Sequence, residues 1–316
     1  MSLAISWDRP QNGFSMPTQH ARVEIDLARI YANAEQIRRE TGVEIKPVIK
    51  ADAYGLGAER VASALAPLAQ EFCYFSLNEA HAVGRPGLIL GPPFGDAEEY
   101  KKVGVRPTVS NFEQRERFRQ VPSSLEIDTG MQRFGCDLFE IDKLLRDSAV
   151  QDIWTHACSL SAVERFLAAT RGIDLPKHAA CSSLLHEPRA RLHAVRPGIA
   201  LYRGAVQVST RLAVARDTYG PAGYRGFHSN RVGVILIGYS HGLRAARVRI
   251  NDRPQQMLEV GMNTAFVSLD PADKVGDEVT LLGNGITEQQ VAEDIGGREH
   301  EVLCRYCRLG ERIYRE

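Results

Sequence analysis

The sequence has no excess of either charge: 39 lysines and arginines stand against 39 aspartates and glutamates in 316 residues. A balanced chain of this kind gives no reason to expect a nucleic acid or an anionic membrane surface as partner. It also lacks any run of about 18 apolar residues, so no transmembrane helix is expected. Met1 to His20 is polar, holds prolines and glycines, and has no apolar centre like that of a signal peptide. Residues 1–20 therefore read as a leader, and the chain is expected to be cytoplasmic. Cysteine is scarce. The six cysteines, at 73, 136, 158, 181, 304 and 307, are scattered as reduced thiols are, and do not form a disulfide framework. Cys304 and Cys307 form a C-x-x-C pair, but with no second pair and no nearby histidine pair no metal is expected there. No G-x-G-x-x-G follows the first strand, so a dinucleotide site is not indicated. Fixed-period repeats and low-complexity tracts are missing as well.

What is present is an alternation. Val23 and Ile25 suggest a short strand. Asp26 caps a helix whose apolar positions Leu27, Ile30, Tyr31, Ala34 and Ile37 share one face. Val43 to Ile49 reads as a strand buried on both faces, interrupted by Pro47. Strand and helix signals then alternate, with strands at 72–77, 87–90, 106–109, 125–128, 152–157, 177–180 and 194–201. Counted from Ile45, that makes eight strand candidates. Such an alternation demands parallel pairing and right-handed crossovers, and eight units match a (β/α)8 TIM-type barrel over residues 21–207 better than an open sheet. Beyond Gln207 long helices give way to segments rich in valine, isoleucine and leucine, separated by turns such as Asp270-Pro-Ala-Asp273. Residues 208–316 read as a second, mostly β C-terminal domain, with one short helix capped by Thr287. The fold class is α/β.

Lys50 follows the buried strand directly. A lysine at the carboxyl end of such a strand faces the mouth of an α/β fold, where desolvation disfavours the ammonium and leaves free amine near neutral pH. A free amine forms an imine with an aldehyde. The alternative is a surface lysine at a strand end, the commoner situation. Similarly, Tyr239, between the glycines of Ile237-Gly-Tyr-Ser-His-Gly242, has the ordinary reading of a hairpin residue with its hydroxyl in water. His156, at a strand end, has that of a satisfied core histidine.

The segment Lys50-Ala-Asp-Ala-Tyr-Gly-Leu-Gly57 resembles the one that carries pyridoxal phosphate in alanine racemases. It is also shared with barrel decarboxylases and with small pyridoxal-phosphate-binding proteins. The resemblance implies that Lys50 holds the cofactor, pyridoxal 5'-phosphate, covalently and that Tyr54 contacts its phosphate. Gly-Tyr-Ser-His-Gly resembles the family's Gly-Tyr-Ala-Asp-Gly, which makes Tyr239 the second acid/base and implies a homodimer in which it reaches the partner's cofactor. Racemisation needs two bases on opposite faces of a planar carbanion, and one lysine with one tyrosine satisfies that need.

Val195-Arg-Pro-Gly-Ile199 resembles the family segment in which the arginine faces the pyridine nitrogen and the following backbone donors hold the phosphate, implying those roles for Arg196, Gly198 and Ile199. His178-Ala-Ala-Cys-Ser182 resembles His-Ala-Ala-Asn-Ser, which makes Ser182 a phosphate ligand. His156 matches a histidine that pairs with the catalytic tyrosine or the ring arginine. Asp128-Thr-Gly-Met-Gln-Arg133 resembles a segment whose arginine, here Arg133, holds the substrate carboxylate. Met262 matches a residue near the substrate.

The departures are Glu126 for a lysine that is often carbamylated, Ser240 and His241 for Ala-Asp, Asn263 for aspartate, Cys181 for asparagine, and Cys307 for a phosphate-contacting tyrosine. A glutamate at 126 would supply Arg133 with the anionic partner a carbamate otherwise provides. The expected activity is amino acid racemisation, most simply of alanine. The alternatives are a racemase or decarboxylase for another amino acid, or a non-catalytic pyridoxal-phosphate-binding protein.

Overall fold

The computed structural model describes residues 21–316, so the leader expected over 1–20 lies outside the described residues. Two hydrogen-bonded arrays organise the chain. The first combines a six-stranded and a three-stranded parallel sheet. The strand Val105–Arg106 belongs to the smaller and Thr108–Val109 to the larger. They are two halves of one strand broken at Pro107, which has no N–H to donate.

Glu44–Ile45 pairs in parallel with Ala194–Val195, and Val48 bridges in parallel to Cys73. The array therefore closes on itself as eight parallel strands in chain order: 44–48, 72–74, 87–89, 105–109, 123–126, 150–157, 177–180 and 194–195. This is the expected (β/α)8 barrel. Pro47 interrupts the first strand without opening the barrel. Its carbonyl accepts from Cys73 N at 2.8 Å, and Val48 N donates to Pro197 O at 2.8 Å.

The second array is a nine-stranded sheet. Its strands Arg247–Ile250, Ala265–Ser268 and Glu278–Leu282 lie where the apolar segments predict them. Arg22–Asp26 is not part of the barrel. It pairs antiparallel with Val206–Arg211 and in parallel with Glu311–Arg315, inside the second sheet. The first described strand thus belongs to the C-terminal array, and the chain enters the barrel through the helix Leu27–Thr41, capped by Asp26.

Two other elements differ from expectation. The segment 194–201 is a strand only at Ala194–Val195, because Pro197 and Gly198 break it and Ile199–Tyr202 turns helical. Glu299–Tyr306, expected as no element, is a helix packed against the mouth of the barrel. No helix among the described residues is long and apolar enough to cross a membrane.

Candidate active site

At the carboxyl ends of the barrel strands lies a cavity of about 580 Å³. Lys50, Tyr54, Arg133, His156, Ser182, Arg196, Gly198 and Ile199 all line it. These residues come from five separate chain segments, and only barrel closure brings them together. Burial and the charge of Arg133 lower the Lys50 pKa, opposed mainly by Glu79.

The backbone after Lys50 is unusual. Ala51, Asp52, Ala53 and Tyr54 all have φ between 52° and 58°, one left-handed turn made without glycine. Such residues cost about 1–2 kcal/mol each, so tertiary bonds must hold the turn. Ala51 N donates to Glu79 Oε1 at 2.9 Å, and Ala53 N to Ile49 O at 2.8 Å. Asp52 accepts from Ala58 N at 2.8 Å and is ion-paired with Arg312. The turn ends at Gly55 and Gly57, both at positive φ. A Cβ on Gly57 would lie 2.1 Å from the Tyr314 hydroxyl. The C-terminal strand therefore braces the turn that presents Lys50 and Tyr54.

On the opposite wall, Ser182 Oγ accepts from Gly198 N at 2.9 Å and Ala200 N at 3.3 Å. A Cβ on Gly198 would lie 2.4 Å from the Tyr54 hydroxyl, so glycine is what allows Tyr54, Ser182 and this backbone to converge. Hydroxyls and backbone donors clustered in this way suit a phosphate.

Beneath the cavity, Arg196 is buried, with 3 % of its surface exposed. Its Nη1 bonds His178 Nδ1 and, at 3.0 Å, His178 O; its Nη2 donates to Thr155 O at 2.6 Å. The Trp154 ring stacks 4.6 Å away. Nε alone makes no hydrogen bond among the described residues, and it is the donor available to a ligand. The imidazole paired with Arg196 is thus His178 and not His156. The reason is register: Ala194 lies opposite His178 on the adjacent strand, and Arg196 N continues that ladder to Ala180 O at 2.9 Å.

Behind His178 the contacts run on through the barrel core. His178 Nε2 is 3.4 Å from Asp152, Asp152 is 3.0 Å from Arg106, and Arg106 and Lys46 both pair with Glu71. Burial alone would raise the Asp152 pKa, but His178 and Arg106 hold it well below the usual carboxylate range. Burial and Arg196 push His178 down to about 4. His156, on the cavity wall, is pushed down to about 4 by burial, Arg196, Arg133 and Lys50, and is neutral at physiological pH.

Glu126 does not form the ion pair expected with Arg133. It is buried, its Oε2 has no hydrogen-bond partner, and desolvation raises its pKa to about 7 even though the charge of Arg133 acts to lower it. The Arg133 guanidinium lies instead 5.1 Å over the Phe134 ring, on an exposed loop.

Tyr239 and Met262 do not line the cavity. Both are 57 % exposed on the second domain, on loops clamped together. Tyr239 N donates to Gly261 O at 2.9 Å, and Ser240 N to Met262 O at 3.0 Å. Ser240 Oγ also donates to Asn263 Oδ1 at 2.8 Å, so two positions that depart from the family pattern satisfy each other. Gly238 is required here, since a Cβ would lie 2.3 Å from the carbonyl oxygens of Gly261 and Met262.

Cys307 and Tyr306 are buried, but neither lines the cavity. The same helix contributes Cys304 and His300, whose ring lies 5.7 Å from that of Tyr54. Sequence reasoning missed His300, His178 and the helix itself, whose first turn is charged and whose apolar face is short.

This arrangement can be set beside known proteins. Residues 25–206 match the alanine racemase N-terminal domain family, and residues 215–315 match the alanine racemase C-terminal domain family. The chain belongs to the alanine racemase family. By class it is an isomerase, an amino acid racemase. It is 30 % identical to alanine racemase of Actinobacillus succinogenes over 82 % of this chain and 88 % of the relative. It superposes on the biosynthetic alanine racemase of Pseudomonas aeruginosa with a TM-score of 0.86 at 25 % identity, covering 94 % of this chain and all of the other. The alanine racemase of Bartonella henselae, solved with covalently bound pyridoxal phosphate, is also similar, with a TM-score of 0.84 at 25 % identity over 94 % of this chain and 99 % of the other. As a member of the alanine racemase family, the chain carries both domains, with the cavity in the first and the Tyr239 loop on the second.

Proposed function

We propose that the chain is a pyridoxal-phosphate-dependent racemase interconverting L- and D-alanine, working as a homodimer in which each protomer's Tyr239 completes the other's cavity. The observation that carries this reading is the contrast within the chain. Eight expected residues surround one cavity, while Tyr239 is held outward at 57 % exposure by a clamped loop.

The residues present fit the cofactor. Lys50 offers an amine whose pKa burial and Arg133 lower, and Ser182, Tyr54 and the backbone at Gly198 and Ile199 offer a phosphate cradle that a side chain at 198 would fill. Arg196 offers one free donor, and an arginine does not surrender its proton. When bound, pyridoxal phosphate supplies an electron sink that acidifies the substrate's α-proton.

The chain's own groups do the rest. The Lys50 amine takes or returns the proton on one face, and the hydroxyl of the partner's Tyr239 acts on the other. Arg133 binds the substrate carboxylate from the loop anchored by Arg165, whose Nε donates to Thr129 O at 2.8 Å. Neutral His156 adds no positive charge to a wall already holding Arg196 and Lys50.

The test is a purified preparation offered a panel of amino acids in deuterium oxide. The reading expects a yellow protein, bleached by borohydride, that places deuterium at Cα of alanine and scrambles its configuration. Colour without exchange would point to a binding protein, and release of carbon dioxide to a decarboxylase.

A further inference from the structure

Beside Lys50 the cavity brings one imidazole and two thiols together. His156 is near the carboxyl end of the strand Val150–Ala157 and Cys158 follows directly after it, and both side chains line the cavity. Ala157 lies opposite Ala180 on the neighbouring strand, which sets Cys181 next to Cys158. The two sulfurs lie within 4.8 Å of each other, and Cys181 Sγ also donates to Ala157 O at 3.3 Å. One imidazole nitrogen and two sulfurs therefore lie within 4.8 Å of one another, and all three residues line the cavity.

We propose that His156, Cys158 and Cys181 form a three-donor binding site for a soft divalent cation of the zinc class, with the fourth coordination position open to the cavity. Two sulfurs and one imidazole with an open position are a donor set that zinc accepts. Tetrahedral coordination at ordinary Zn–S and Zn–N lengths places such donors about 3.5–3.8 Å apart. The contraction from the observed spacing is within reach of side-chain rotation, because Cys158 is exposed and Cys181 half-buried. The imidazole enters with its lone pair available. Each thiol gives up one proton to solvent as its sulfur binds, so binding releases two protons and no electrons change hands.

The experiment is a Co²⁺ titration of the full chain, kept reduced with a phosphine and read as difference spectra. The expected result is one cobalt per chain, with a thiolate-to-cobalt charge-transfer band that one equivalent of Zn²⁺ bleaches. Cys158→Ser, Cys181→Ser and His156→Gln should each weaken cobalt binding at least tenfold, and Cys304→Ser, also in the cavity, should not. No band at saturation would overturn the site, as would a band that survives Cys158→Ser and Cys181→Ser but is lost in Cys304→Ser. A measurement on the unaltered chain guards against variants that fail to fold. Zn²⁺ should protect Cys158 and Cys181, but not Cys304, from alkylation as read by peptide mass. Equal alkylation of all three with and without zinc would contradict the proposal.

Discussion

The mouth of the barrel and the loop around Tyr239, which the proposed function joins in one chemistry, are built in opposite ways. At the barrel mouth, groups from distant segments converge behind buried walls: Lys50 on a strained turn, Arg196 locked under the cavity, Ser182 tied to Gly198. On the second domain, Tyr239 stands on a loop fixed by backbone bonds to Gly261 and Met262, with its side chain in the open. A clamped backbone under an exposed tyrosine is costly to maintain for a residue with nothing to meet. The contrast is what supports the proposed sharing of the site between two chains.

Substitutions on the two sides should therefore fail differently. Lys50→Ala removes both the cofactor's anchor and one base, and alanine turnover should fall by more than about 10⁴-fold, with loss of the absorbance that borohydride bleaches. Tyr239→Phe should keep that absorbance and lose turnover by about 10²–10⁴-fold. Because Tyr239 is exposed in the single chain, its folding stability should shift by no more than about 0.5 kcal/mol. Single-turnover proton release should fall much more from one enantiomer than from the other; equal loss from both would argue against separate bases for the two faces.

Gly198→Ala drives a methyl group into the Tyr54 hydroxyl. Titration with the cofactor should show affinity lowered by about 10–100-fold, a cost of about 1.4–2.7 kcal/mol. The last prediction concerns stability and not turnover: the folded-state pKa of Glu126 is raised from 4.5 to about 7 by burial. Between those values the folded chain binds the proton more tightly than the unfolded chain does, so stability is full below pH 4.5 and falls as pH rises through 7. Glu126→Gln should consequently stabilise the chain by up to roughly 3 kcal/mol above pH 7 and by nothing near pH 4, measured by denaturant unfolding. A loss of stability at pH 8 would show that Glu126 has an anionic role after all.

The barrel was legible because each buried strand is a short apolar run, and because eight parallel strands have few other ways to close. The pocket residues were legible because motifs keep their spacing wherever the chain places them. What escaped was decided by contacts between distant segments. Nothing in Ala51-Asp-Ala-Tyr54 announces four left-handed residues; Glu79 and Arg312 impose them from elsewhere. The choice of His178 over His156 as partner of Arg196 depends on strand register, which a lone histidine does not reveal. Lys46, Glu71, Arg106 and Asp152 are far apart in sequence, yet they meet inside the barrel, each charge compensated by the next. Arg22–Asp26 resembles a first barrel strand, and only its pairing with Val206–Arg211 and Glu311–Arg315 places it in the other sheet.

The division of the site between two chains is tested most directly by mixing two inactive variants. Lys50→Ala and Tyr239→Phe protomers, unfolded together and refolded, form dimers containing one of each. If each cavity is completed by the partner's tyrosine, one of the two cavities in such a dimer has both groups intact, and alanine racemisation returns. Mixed dimers, verified by mass, that remain as inactive as their parents would contradict the account.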